Sequence, residues 1–221
     1  MKTWLYRGLS FVILTMMIAV PFLHYRATYA HAKRLRVVTP QLFYRCGQLT
    51  ADGFREAIQK YKIRTVINLQ DENPDPQLPK SYYQPHPSLP ESLLCDQNGA
   101  RYILLIFDLP PRDKAAIEHP KVIDDFLKIC DDPQSYPILL HCKAGLHRTG
   151  LLTAIYRIEY EHWSKADAIR ELRANGFGDS AATSANDYIY AFLEMYKPRW
   201  LHTPGKLDNP GGLLHDGEGM P

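Results

Sequence analysis

The run Tyr136–Gly150, YPILLHCKAGLHRTG, limits what this chain can fold into more than any other stretch. Ile138-Leu139-Leu140 is a short, unbroken apolar run of the kind found in strands buried on both faces. After Gly150, apolar residues return at Leu151, Ala154, Ile155 and Ile158, the spacing of one helix face. The residues His141–Gly150 therefore form a loop that leads from a buried strand into a helix. At such a junction successive N–H groups converge and the helix dipole adds positive potential, so the site suits a phosphate-sized dianion. Cys142 opens the loop. Gly145 lets it turn tightly where a side chain would obstruct the anion. Arg148 can clamp two phosphate oxygens with its planar fork.

A thiol in that field loses its proton readily and becomes a nucleophile aimed at bound phosphorus. Thr149 can donate its hydroxyl to the sulfur when the thiolate leaves, and His141 can orient the loop through a hydrogen bond. The expected chemistry is phosphoryl transfer through Cys142, with no metal and no other cofactor. Lys143, Ala144, Gly145, Leu146, His147, Arg148 and Thr149 are the expected substrate-binding residues. Lys143 adds charge suited to polyanions, although a solvated lysine at the loop rim is an equal reading. A zinc site on His141, Cys142 and His147 would neutralise the nucleophile and lacks an evident fourth ligand.

The remaining pattern from Arg36 to Pro198 alternates short apolar runs with amphipathic ones, which predicts an α/β domain with a central, mostly parallel sheet flanked by helices. Strands are expected at Leu42–Cys46, Thr65–Leu69, Tyr102–Phe107 and Tyr136–His141. Helices are expected from Thr50 to Tyr61, Pro120 to Cys130, after Gly145, from Ser164 to about Gly176, and from Ala182 to Tyr196. The six prolines between Asp71 and Pro90 predict one long loop, with Asp71, Glu72 and Asp75 solvated in it. The tyrosine and phenylalanine stripe Tyr188, Tyr190, Phe192, Tyr196 reads as helix packing.

His-Cys-x5-Arg-Thr-Gly between a strand and a helix resembles the signature of the cysteine-dependent protein tyrosine and dual-specificity phosphatase superfamily. Tyr44-Arg45-Cys46-Gly47-Gln48 and the Thr65–Leu69 strand extend the resemblance over residues 36–198, toward compact atypical dual-specificity enzymes. The Cys-Lys-Ala-Gly start resembles tensin-type lipid phosphatases, and Cys-Lys-x-Gly-x-His-Arg-Thr-Gly resembles inositol-pyrophosphate phosphatases. The resemblance implies a phosphocysteine intermediate on Cys142 and a separate aspartate as general acid, roughly thirty residues earlier. Asp113 and Asp108 both qualify. Asp113 is favoured because it lies beyond Pro110-Pro111 in a loop able to swing, whereas Asp108 directly ends a strand. The substrate would be a phosphotyrosine, phosphoserine or phosphothreonine protein, or an inositol phosphate. The alternative is a catalytically silent phosphate-binding module at a membrane. A sulfurtransferase also uses a cysteine loop but fits the Arg-Thr-Gly end poorly.

The ends of the chain differ from this middle. Gly8–Tyr25 carries no charge and follows Lys2 and Arg7. Residues 1–30 are expected to be a single-pass membrane anchor. A cleaved signal, which would leave a secreted or periplasmic protein, and a buried core helix are the competing readings. Positive charges flank the span on both sides, so the side of the membrane stays open. Residues 199–221, rich in Gly and Pro, are expected to be a disordered tail. Hydrophobic residues make up 45% of the 221, which excludes wholesale disorder, and a net charge of +2 does not call for a nucleic-acid partner. Four scattered cysteines (Cys46, Cys95, Cys130, Cys142) do not make a disulfide scaffold. A reversible disulfide would require one of the other three to approach Cys142.

Overall fold

The structure is a computed structural model and describes residues 2–26, 32–81, 87–106, 120–177 and 188–202. Its contacts divide the chain into two units, residues 1–108 with 121–149, and residues 109–120 with 150–221.

The first unit is organised by a five-stranded sheet. Strand β1 (Arg36–Thr39) pairs antiparallel with β2 (Phe43–Gly47). The other strands, β3 (Thr65–Asn68), β6 (Arg101–Leu104) and β7 (Ile138–Cys142), run parallel to β2 in the order β1-β2-β7-β3-β6. Every residue of β2, β3 and β7 is buried, as inner parallel strands covered on both faces require. In register, Gly47 of β2 faces Cys142, and Cys46 and Asn68 face His141 from either side. The carboxyl end of the central strand thus carries the predicted nucleophile, the place where open α/β sheets present ligands.

Helix α2 (Ala51–Tyr61) begins where expected, because the Thr50 hydroxyl accepts from the Gly53 N–H at 3.1 Å. Such a cap contributes about 1 kcal/mol. Phe54, Ala57 and Ile58 on its buried face join Tyr44, Val66 and Leu139 in the core. Helix α4 (Lys121–Asp131) buries Val122, Ile123, Phe126, Leu127 and Cys130, and the Phe126 ring meets Phe43 edge-on at 6.1 Å.

The proline-rich segment departs from the single loop predicted. Gln77–Pro79 (β4) and Ser88–Pro90 (β5) form a two-stranded antiparallel ladder, and Glu91–Gln97 forms a short helix, α3. Leu78 is fully buried and supplies the apolar anchor that this ladder needs. Asp75 is not merely solvated: its carboxylate accepts from the Ser92 N–H at 2.9 Å and from the Ser92 hydroxyl at 2.6 Å, closing the first turn of α3.

In the second unit, α5 (His147–Tyr160, begun in the first unit), α6 (Lys165–Ala174) and α7 (Tyr188–Met195) follow one another. Ser164 caps α6 by accepting from the Asp167 N–H at 3.1 Å, and Gly176 takes φ 94° just past its end. Glu159, 7% exposed, accepts from the Tyr196 hydroxyl at 2.5 Å and the Arg199 N–H at 2.9 Å. Arg199–His202, the first four residues of the expected tail, form a 3-10 turn, while 203–221 lie outside the described residues. So do 182–187 of the expected last helix and Phe107 of the expected Tyr102–Phe107 strand, whose observed counterpart β6 ends at Leu104.

The N-terminal helix α1 runs from Lys2 to Arg26 with Pro21 inside it. Its 19-residue stretch Tyr6–His24 has a mean hydropathy of 1.7 and none of it is buried, so it is long and apolar enough to cross a membrane. The core-helix reading does not hold, since its large apolar residues, such as Phe11 and Met17, lie exposed.

Candidate active site

Cys142 is the last residue of β7, and α5 begins five residues later at His147. The loop between them doubles back so that the Gly145 N–H donates to Cys142 Sγ at 3.2 Å. Gly145 makes this turn with φ +72°, a left-handed conformation that other residues adopt only under strain. The reason for glycine differs from the one expected. A Cβ on Gly145 would stand 2.5 Å from the Gly47 nitrogen and 2.6 Å from the Cys46 carbonyl group, so it would strike the backbone of β2. The loop is therefore pressed against the neighbouring strand, and its shape depends on that close approach.

Several hydrogen bonds fix the loop from outside. The Gln48 N–H donates to the Lys143 carbonyl at 3.2 Å. Arg34 Nη1 donates to the Ala144 carbonyl at 3.0 Å, and buried Arg45 Nη2 to the Gly145 carbonyl at 2.9 Å. Lys33, just before Arg34, accepts from the Gly47 N–H at 2.7 Å through its own carbonyl. Its ammonium is held below the ordinary lysine range by burial first and by the adjacent Arg34 second. Lys143 is exposed, Ala144, Leu146, His147 and Arg148 are half-buried, and Thr149 is buried.

His141 makes a side-chain hydrogen bond, and its partner, Glu91, is not among the residues singled out by the sequence. His141 Nε2 lies 2.6 Å from Glu91 Oε1 with both side chains fully buried, and the Phe54 ring packs edge-on against the imidazole at 5.1 Å. Glu91 reaches this position because β5 and α3 meet there, fifty residues before His141. Cys46, beside His141 on β2, is also fully buried. Burial, and then the Glu91 carboxylate, hold its thiol protonated by pushing its pKa well above the ordinary value. None of the four cysteines is joined in a disulfide.

Arg148 lies in the first turn of α5 and turns back across the sheet end. Its Nη1 donates to the Leu69 carbonyl at 3.0 Å and meets Asp71 at 2.6 Å and Glu72 at 2.7 Å. These two carboxylates, expected to be simply solvated, are instead the partners of the predicted clamp. The guanidinium pulls the Glu72 carboxyl down to about 2, so this group stays ionised at neutral pH and cannot act as a proton donor there. His147 is held below the usual imidazole range, chiefly by burial and then by Arg148, which leaves its ring neutral at neutral pH. Asp113 and Asp108 lie outside the described residues. Among the described residues no cluster of His, Cys, Asp and Glu has the arrangement of a metal site.

A strand-end cysteine, a left-handed glycine donating to its sulfur and an arginine in the first turn of the following helix thus meet at the carboxyl end of the central strand. A family profile described as "DSP-PTPase phosphatase fused to NAD+ Kinase" matches residues 28–187, and the chain belongs to this dual-specificity phosphatase family. The dual specificity protein phosphatase TpbA of Pseudomonas aeruginosa is 51% identical over 43 residues, 20% of either chain. The match thus spans about a fifth of the length of that relative. The inositol diphosphatase DSP2 of Oryza sativa subsp. japonica is 26% identical over 154 residues, 69% of this chain and 65% of its own. Among solved structures, the core catalytic domain of the PP-IP phosphatase SIW14 from S. cerevisiae aligns with a TM-score of 0.54 at 20% identity. That alignment covers 76% of this chain and 87% of SIW14's. Crystalline TpbA aligns with a TM-score of 0.52 at 21% identity, covering 75% and 86%. Both share the mostly parallel sheet flanked by helices.

Proposed function

We propose that this protein hydrolyses phosphate monoesters through a phosphocysteine intermediate on Cys142, in a domain spanning about residues 36–198. The observation that carries this reading is the Gly145 N–H aimed at Cys142 Sγ from 3.2 Å, because the donor that supports the sulfur as an anion also faces an oxyanion bound against it. Sulfur attacks phosphorus in line as the ester oxygen leaves. The clamp role belongs to Arg148, whose fork exchanges Asp71 and Glu72 for two phosphoryl oxygens. The remaining loop residues, Lys143 to Thr149, cradle the phosphoryl group, with the Thr149 hydroxyl serving the departing sulfur. Asp113 is the general acid that protonates the leaving oxygen and then, as a base, activates water against the thiophosphate, with Asp108 as the other candidate. Glu72 does not take that part, because Arg148 keeps it ionised.

The substrate is a phosphoprotein or an inositol phosphate. Both classes have support in the names of the relatives, which include dual-specificity and tyrosine phosphatases as well as inositol diphosphatases. Helix α1 tethers the domain to a membrane as a single-pass anchor, which its exposed apolar length supports. A cleaved signal would pass the same test of length and apolarity, and amino-terminal sequencing of the mature protein separates the two.

The test of the activity is turnover of para-nitrophenyl phosphate by the full chain in detergent and chelator. Turnover that disappears in Cys142→Ser and falls by orders of magnitude in Arg148→Lys supports the reading. Turnover that survives Cys142→Ser overturns it, and binding of phosphate without turnover would identify the silent module instead.

A further inference from the structure

Two arginines with no role in the chemistry above hold consecutive peptide groups of the loop. Arg34, in the segment just before β1, donates to the carbonyl of Ala144 at 3.0 Å. Arg45, only 3% exposed on β2, donates to the carbonyl of Gly145 at 2.9 Å. A trans peptide is planar, with its C=O and N–H pointing in opposite directions. Pulling the Ala144 carbonyl toward Arg34 therefore turns the Gly145 N–H the other way, and that N–H is indeed found on Cys142 Sγ at 3.2 Å. The same geometry sends the Leu146 N–H away from Arg45.

The alternative for each peptide is a flip that brings a carbonyl oxygen toward the sulfur, which would repel both a thiolate and a phosphoryl group. Gly145, with φ +72°, has the backbone freedom to permit such a flip, so the loop sequence alone does not prevent it. We propose that Arg34 and Arg45 are positioning residues for the phosphate-binding loop, gripping two successive carbonyls from outside so that the Gly145 and Leu146 N–H groups face the bound oxyanion. This rests on the phosphatase reading of the same loop. Their charges also lie behind the donors, where they reinforce the positive end of each peptide dipole. Arg34 belongs to the segment that links α1 to the domain, and Lys33 beside it accepts from Gly47, the residue against which Gly145 is pressed.

The experiment compares Arg34→Met, Arg34→Lys, Arg45→Met and Arg45→Lys with wild type as full chains. It records kcat and KM for para-nitrophenyl phosphate, the inhibition constant of inorganic phosphate and the melting temperature. Removing a donor from an oxyanion site directly costs about a hundred- to a thousandfold in kcat. Loosening one through its support is expected to cost about tenfold or more in each Met variant. Phosphate inhibition should weaken in parallel, and each Lys variant should recover part of both because a single donor remains. If Arg45→Met fails to fold, the half-buried Arg34 pair decides the matter alone. Met variants that keep wild-type kcat and phosphate inhibition, or whose losses are not relieved in the Lys variants, overturn the proposal. A wild-type chain with no Cys142-dependent turnover would instead defeat the phosphatase reading on which it rests.

Discussion

His141 and Arg148 bracket the same loop, and each is held by carboxylate, but under opposite conditions. The His141–Glu91 contact is 2.6 Å long with neither side chain exposed at all. Arg148 meets Asp71 and Glu72 at similar distances, yet its side chain is 27% exposed and theirs are 40% and 46% exposed. A buried pair has no solvent to replace a lost partner, so it is locked. A rim pair is worth little and exchanges readily. The difference teaches how one loop can be rigid where the proposed nucleophile sits and still free its cation for a ligand.

The largest effect should come from breaking the locked side. Glu91→Ala leaves the buried His141 Nε2 without its hydrogen-bond partner and is expected to cost about 3 kcal/mol, read as a lower denaturant midpoint at unchanged slope. Glu91→Gln retains an acceptor for the imidazole and should cost clearly less. Equal losses would mean that the hydrogen bond contributes nothing beyond shape. Next comes Gly145→Ala, whose methyl would stand 2.5 Å from the Gly47 nitrogen. A displacement of about 1 Å at a reacting site can cost a hundredfold, and that loss in kcat is expected here. An unchanged kcat would show that the loop does not depend on its contact with β2.

The exchangeable side should respond mildly and in the other direction. Glu72→Gln removes a competitor of phosphate for Arg148. Inorganic phosphate should then inhibit up to about fivefold more tightly, the value of an exposed ion pair of about 1 kcal/mol. Weaker inhibition would mean that Glu72 positions the clamp rather than competing for it. The smallest effect is acidic. The Glu72 pKa is lowered on folding to about 2, so its stabilising contribution is complete above its ordinary value of 4.5 and is lost as pH falls through about 2. Wild type and Glu72→Gln should therefore show the same pH dependence of stability above 4.5 and diverge only below it. Divergence near neutrality would contradict the assignment.

The same contrast explains what the sequence could tell. Local signals were faithful: Thr50 and Ser164 cap their helices, and the apolar run ending at His141 forms the central strand. The three-residue strands β4 and β5 and the seven-residue helix α3 were not legible among the prolines, because they gain their stability from Leu78, Leu94 and Cys95 in the core rather than from any periodicity. Strand β1 was missed for a similar reason, being an edge strand with only Val38 buried. Within the loop, Cys142, Gly145 and Arg148 could be read from spacing. Glu91, Asp71, Glu72, Arg34 and Arg45 could not, since their contacts join segments 50 to 110 residues apart. One signal was available in principle: Arg45 lies inside a strand whose neighbours are apolar, and a charge buried there needs an acceptor.

The central claim is that Cys142 carries the phosphoryl group between the two halves of the reaction. Full-chain enzyme mixed with a radiolabelled aryl phosphate, quenched in acid within milliseconds, digested and sequenced by mass spectrometry tests it directly. The label should sit on the cysteine of the peptide containing Lys143–Arg148 and be absent in Cys142→Ser. Turnover accompanied by label on another side chain, or by equal labelling of wild type and Cys142→Ser, would contradict the account.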